Sequence, residues 1–175
     1  MSKTNFKEEL MSVKAFAFDV DGVLSNPEVY VSAEGDLLRS MNTKDGYALQ
    51  YAVKRGYPVA IITGGRTESV GLRFRNLGIT DIYLGSYNKI EDFNDFRFKY
   101  NLEPGEILFM GDDLPDFEVM RAAGVACCPA DAVEEIKSIS VYISHLPGGK
   151  GCVRDIIEQV LRLQGRWMDG EAFTW

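Results

Sequence analysis

The chain has 175 residues, with 19 Lys+Arg against 26 Asp+Glu, a formal charge of −7, 46% hydrophobic and 26% charged residues. At this length folding buries roughly two-thirds of the surface that the unfolded chain exposes, which suffices for a core without disulfide or metal staples and leaves little room for two full domains. The acidic balance, with no Lys/Arg run longer than two residues, excludes a protein that works by neutralising nucleic-acid or membrane phosphates, so any phosphate it binds must be handled locally.

The segment Met1 to Met11 is polar, with no apolar signal-type core, and no stretch approaches the roughly 18 apolar residues of a membrane span. Cys127, Cys128 and Cys152 form an odd set whose adjacent pair would bridge only with strain, which points to a reduced compartment. The expected location is the cytoplasm.

In chain order, short apolar runs read as buried strands: Val13–Phe18, Val59–Ile62, Ile82–Leu84, Ile107–Met110, Val125–Cys128 and Val141–Ile143. Between them, helical spacing covers Gly46–Arg55, Thr67–Leu77, Ile90–Tyr100, Pro115–Ala122, Val133–Lys137 and Val153–Gln164. Glycines at Gly56, Gly78 and Gly124 stand where left-handed helix caps are wanted. Strand–helix alternation predicts an α/β fold, a Rossmann-like three-layer sandwich with a mostly parallel sheet and helices on both faces. After the first strand, Val29–Val31 and Leu37–Met41 flank Ala33-Glu34-Gly35-Asp36 as a projecting β-hairpin, about residues 28–41. The tail, 165–175, carries Trp167, Phe173 and Trp175 without helical period, and one domain is expected over 1–175.

The chemistry gathers at strand ends. Phe18-Asp19-Val20-Asp21-Gly22 puts two carboxylates at the carboxyl edge of a parallel strand, where open α/β sheets place their sites. Such close like charges call for a cation or a proton, and a hard divalent ion with oxygen ligands is the natural answer. Thr63-Gly64-Gly65-Arg66 ends the second main strand with a hydroxyl and glycine N–H groups suited to a phosphoryl oxygen. Lys89 opens the next helix; alone it would read as a surface lysine. The fourth strand ends in Gly111-Asp112-Asp113-Leu114-Pro115-Asp116, a further acidic cluster at the same edge.

Taken in order, these four motifs resemble the haloacid dehalogenase superfamily of aspartate-nucleophile phosphotransferases over about Val13 to Val160. The resemblance implies an acyl-phosphate mechanism in which Asp19 attacks phosphorus, Asp21 serves as acid and then base, and Thr63 and Lys89 hold the transferring group. It also implies Mg²⁺ on Asp19, the Asp21 carbonyl and Asp112, with Asp113 and Asp116 behind them orienting the metal surroundings or the Lys89 ammonium. The gaps between motifs leave no room for a cap domain, so a capless homo-oligomer is expected, with the hairpin of one subunit over its neighbour's site.

A narrower resemblance rests on the hairpin, Met41-Asn42-Thr43-Lys44-Asp45-Gly46-Tyr47, the Gly111–Asp116 run, Pro147–Gly151 and Gln164-Gly165-Arg166-Trp167. These are similar to the 3-deoxy-D-manno-octulosonate 8-phosphate phosphatases, tetrameric capless enzymes of lipopolysaccharide sugar synthesis. The similarity implies a substrate site lined by Asn42, Thr43, Lys44, Asp45, Gly46, Gly64, Gly65, Arg66, Thr67 and Arg73, with the arginines suited to a carboxylate or phosphate. The sister phosphatases of a nine-carbon keto acid tend to carry a carboxylate in the loop where this chain has Gly65, which favours the eight-carbon substrate. A receiver-type phospho-signalling domain is the competing class, but Lys89 precedes Asp112-Asp113 here, opposite to that design. His145 reads as a loop residue, Gly148-Gly149-Lys150-Gly151 lacks nucleotide-loop spacing and suggests close subunit approach, and Phe93, Phe96 and Tyr100 read as a core stripe.

Overall fold

Strict in–out alternation along three neighbouring strands builds two cores in the computed structural model, which describes residues 6–170 and 172–175. In β1 (Ala15–Phe18), Phe16 and Phe18 face one core while Ala15 and Ala17 face the other. β4 (Val59–Thr63) and β6 (Ile107–Met110) repeat the pattern, with Val59, Ile61, Leu108 and Met110 on the first face. The first core is closed by α1 (Phe6–Ser12), α2 (Thr43–Lys54), α3 (Glu68–Arg75) and α7 (Cys152–Leu163). The second is closed by α4 (Lys89–Lys99), α5 (Phe117–Ala122) and α6 (Glu134–Ile139), where Phe93 and Phe96 fill the space left by the alanines. The predicted core stripe is therefore present.

With β5 (Asp81–Leu84), β7 (Val125–Cys128) and β8 (Tyr142–Ile143), the sheet runs β5-β4-β1-β6-β7-β8, parallel throughout. The chain leaves β1 toward β4 and β5, then crosses to β6, β7 and β8. β1 therefore marks the point where connections diverge and a crevice opens at the strands' carboxyl ends.

The fold class and all six sheet strands match expectation; the details differ where neighbours decide. α1 was not predicted, because Phe6 and Leu10 alone give too short a period; Leu10 is buried and Phe6 stacks on Tyr142. α2 begins at Thr43, earlier than the expected Gly46, because the Asn42 side chain caps the Lys44 N–H at 2.8 Å. Gly56 and Gly78 adopt the expected left-handed caps, with φ of 83° and 86°. Gly124 does not: its reason is packing, since a Cβ there would lie 2.2 Å from Gly105 Cα.

The hairpin is present but shorter than expected, pairing β2 (Tyr30–Val31) with β3 (Leu37–Leu38) as a separate two-stranded sheet. The tail docks on α2: Trp167 packs edge-on against Tyr51, Trp175 does so against Tyr47, and Asp169 accepts from Tyr51 at 2.7 Å. Cys127, Cys128 and Cys152 are buried free thiols. Among the described residues, no helix is long and apolar enough to cross a membrane.

Candidate active site

Asp19 follows β1 directly, and its N–H donates to Met110 O at 3.1 Å, so the end of the β1–β6 ladder fixes its direction. Lys89, the first residue of α4, brings Nζ to 2.9 Å from Asp19 Oδ1 and 2.6 Å from Asp116 Oδ1. The other Asp116 oxygen accepts from the Asp112 N–H at 3.1 Å. Lys89 is buried rather than a surface lysine, because these two carboxylates meet its charge.

Burial and neighbouring carboxylates crowd this corner with negative charge. Burial, then Asp116, pushes Asp19 well above the usual carboxylate range, with Lys89 opposing. Lys89 itself loses stability of its charge to burial, but Asp19 and Asp116 outweigh that and raise it. Asp112 is pushed up to about 7 by burial, Asp116 and Asp113.

Carboxyl oxygens of Asp19, Asp112 and Asp116 all lie within 4.8 Å of one another. Asp116 is already engaged by Lys89 and the Asp112 N–H, which leaves Asp19 and Asp112 to face a cation. The donor set is all oxygen and the local charge is unbalanced, both of which fit a hard divalent ion. Gly22 makes the approach possible: at φ 84°, a Cβ there would stand 1.9 Å from Asp112 Oδ2. Asp113 is exposed, and its carboxylate accepts from the Leu114 N–H at 2.8 Å, capping the turn that carries Asp116.

Thr63 closes β4 with its hydroxyl accepting from the Gly65 N–H at 3.1 Å. Asp21 is partly exposed and is gripped by Arg39, with Nε to Oδ1 at 2.5 Å and Nη2 to Oδ2 at 3.0 Å. Sequence reasoning missed Arg39, since nothing in the hairpin's pattern says which way one arginine turns.

A cavity of about 520 Å³ joins these groups. Asp19, Asp21, Thr63 and Lys89 line it, with Gly64, Gly65 and Arg66 on one wall and Asp112, Asp113 and Asp116 on the other. The remaining expected substrate contacts do not line it within one chain. Asn42 caps α2, and Thr43 and Lys44 are exposed. Asp45 is buried, accepting from the Arg154 N–H at 2.7 Å at the start of α7. Gly46 makes room for Arg73, whose Nη2 would sit 2.5 Å from a Cβ there, and Thr67 accepts from Arg39 Nη1 at 3.1 Å. His145 is exposed as expected, while the Gly148 approach lies within the chain: a Cβ there would meet Gly22 O at 1.9 Å.

The family profile of haloacid dehalogenase-like hydrolases matches residues 29–124. The 3-deoxy-D-manno-octulosonate 8-phosphate phosphatase of Salmonella typhi is 34% identical over 163 residues, 93% of this chain and 87% of the relative. Its counterpart in Escherichia coli K12 is 36% identical over 155 residues, 89% of this chain and 82% of the relative. The crystal structure of the phosphatase of that name from Moraxella catarrhalis, in complex with magnesium ion, phosphate ion and KDO, superposes with a TM-score of 0.89 at 32% identity, covering 93% of each chain.

Proposed function

This chain belongs to the haloacid dehalogenase-like hydrolase family and is a phosphoric monoester hydrolase, and from that premise we propose that it hydrolyses 3-deoxy-D-manno-octulosonate 8-phosphate to the free sugar acid and inorganic phosphate. The observation that carries the chemistry is the buried Asp19–Lys89–Asp116 bridge opening onto a cavity shared with Asp21, Thr63 and Asp112.

An Asp19 oxygen attacks phosphorus and forms the acyl-phosphate bond as the ester P–O bond breaks, and Asp21 gives its proton to the leaving alkoxide. Water then attacks the same phosphorus, Asp21 takes the water's proton, and Asp19 is released with inorganic phosphate. Lys89 holds Asp19 in line and neutralises the transferring oxygens, while Thr63 and the Gly64–Gly65 backbone orient them. Asp19, the backbone carbonyl of Asp21 and Asp112 would hold Mg²⁺, whose charge when bound offsets that of the phosphoryl group. Asp116 steadies Lys89, and Asp113 shapes the turn that presents it.

The eight-carbon sugar acid is supported by the relatives' activity and by Gly65, which leaves Arg66 without a competing carboxylate beside it. We read Asn42–Gly46, Thr67 and Arg73 as substrate contacts of the assembled enzyme, a cytoplasmic homotetramer whose exposed apolar hairpin covers a neighbour's site, in lipopolysaccharide sugar synthesis.

The test is phosphate release with Mg²⁺ from the eight-carbon substrate, 2-keto-3-deoxynonulosonate 9-phosphate and ordinary sugar phosphates. A preference of about a hundredfold or more in kcat/KM for the eight-carbon acid is expected. Preference for the nine-carbon acid would keep the chemistry and reassign the substrate. A lasting phosphoprotein after acetyl phosphate treatment would favour the receiver-type reading.

A further inference from the structure

Arg39 leaves the end of the hairpin and turns into the sheet edge, where its side chain is only 5% exposed. Burying a guanidinium is costly unless its donors are met. Here four of its five N–H donors are met: Nε and Nη2 fork onto the two Asp21 oxygens at 2.5 and 3.0 Å, and Nη1 donates to Leu37 O and Thr67 Oγ1, both at 3.1 Å. Among the described residues, the one other hydrogen bond to the Asp21 carboxylate, from Ser25 Oγ, is 3.3 Å long. Asp21 therefore depends on Arg39 for its direction, in a way that Asp19, fixed by β1 and Lys89, does not.

We propose that Arg39 is a positioning residue of the hydrolysis: its planar fork aims the Asp21 carboxyl at the ester oxygen and couples the hairpin to the chemistry. This rests on the phosphatase reading above. When Asp21 carries the proton, the fork keeps one of its bonds and the protonated oxygen turns to the leaving group. As the ester P–O bond breaks, that proton passes to the alkoxide, and the fork again closes on both oxygens. Lysine cannot do the same, because a single ammonium offers a point charge rather than two parallel donors. A simple staple holding the hairpin would slow every substrate alike, whereas a device that aims an acid matters most where the leaving group needs its proton.

The test compares phenyl phosphate, a poor leaving group, with p-nitrophenyl phosphate, an activated one, in wild type, Arg39→Ala and Arg39→Lys with Mg²⁺. Neither ester carries the sugar acid's carboxylate, so a lost substrate contact does not enter. In Arg39→Ala, kcat/KM on phenyl phosphate is expected to fall about tenfold further than on p-nitrophenyl phosphate, with Arg39→Lys between the two. Should Arg39→Ala fail to fold, the lysine variant carries the same comparison. Equal losses on both esters, or no loss, would overturn the proposal. A wild-type protein inert toward both esters and the sugar-acid phosphate would instead sink the phosphatase reading, and this inference with it.

Discussion

At the carboxyl edge of the sheet, Thr63 is 2% exposed, Asp116 1% and Lys89 7%, whereas Tyr30, Val31 and Leu38 of the adjoining hairpin are 67%, 68% and 55% exposed. The first region holds Thr63, Lys89 and Asp116, each hydrogen-bonded to a neighbour, in a fixed geometry. The second leaves apolar side chains in solvent and touches the first chiefly through Arg39. On the proposed function, such a division would give the sheet edge the bond-making and bond-breaking and the hairpin the contacts with substrate and neighbouring subunit, with Arg39 as the link between them.

The most damaging test of that division is Asp19→Asn. An amide cannot form the acyl phosphate, so phosphate release should fall about 10⁴-fold or more on any ester, and retained turnover would remove Asp19 from the nucleophile's role. Lys89→Met comes next. It deletes the ammonium between Asp19 and Asp116 and leaves buried carboxylates facing each other, so kcat/KM should drop about 10²–10³-fold. The melting temperature should also drop without Mg²⁺ and recover partly with it. A variant that melts like wild type in chelator would show that Lys89 does not offset the crowding of these buried carboxylates.

The same division explains what could be read from the sequence. Strand ends announce themselves: Asp19-Val20-Asp21-Gly22, Thr63 and Asp112–Asp116 each follow an apolar run, so the chemical groups were legible before their distances were. Lys89 was legible only from its place in the motif order, because its burial depends on Asp116, 27 residues away. Arg39 was not legible, since its partner lies 18 residues back across a hairpin whose register no local pattern fixes. Gly124 was misread as a cap because closeness to Gly105 leaves no mark on the local sequence. The expected contacts at 42–46 follow the narrower resemblance, and within one chain they serve α2, Arg73 and the start of α7.

Gly65→Glu sharpens the comparison where the two regions touch. A Cβ at this position would lie 3.3 Å from Arg39 Nη2 and 3.4 Å from Thr63 Oγ1, so the new carboxylate competes with Asp21 for the guanidinium. The ratio of eight- to nine-carbon kcat/KM is expected to fall about tenfold, equivalent to about 1.4 kcal/mol of transition-state discrimination. An unchanged ratio would mean that this loop does not read the sugar.

Asp45 offers the smallest effect and a distinct kind of evidence, because it lies beside the hairpin's exit but away from the cavity. Burial outweighs its bonds from the Arg154 and Gly151 backbone and pushes it up to about 6, and among the described residues its second oxygen has no hydrogen-bond partner. The folded protein therefore holds a proton that the unfolded chain has given up between about pH 4 and 6. Stability from this group is complete below that window and is lost as pH rises through about 6. Asp45→Asn keeps an oxygen for the Arg154 N–H and carries no charge, so it should flatten that part of the curve of melting temperature against pH. If Asp45 serves only the join between α2 and α7, hydrolysis of p-nitrophenyl phosphate should change less than about threefold. A selective loss on the sugar-acid phosphate, with the aryl ester unaffected, would instead return Asp45 to the substrate site and require a neighbouring subunit to bring it there.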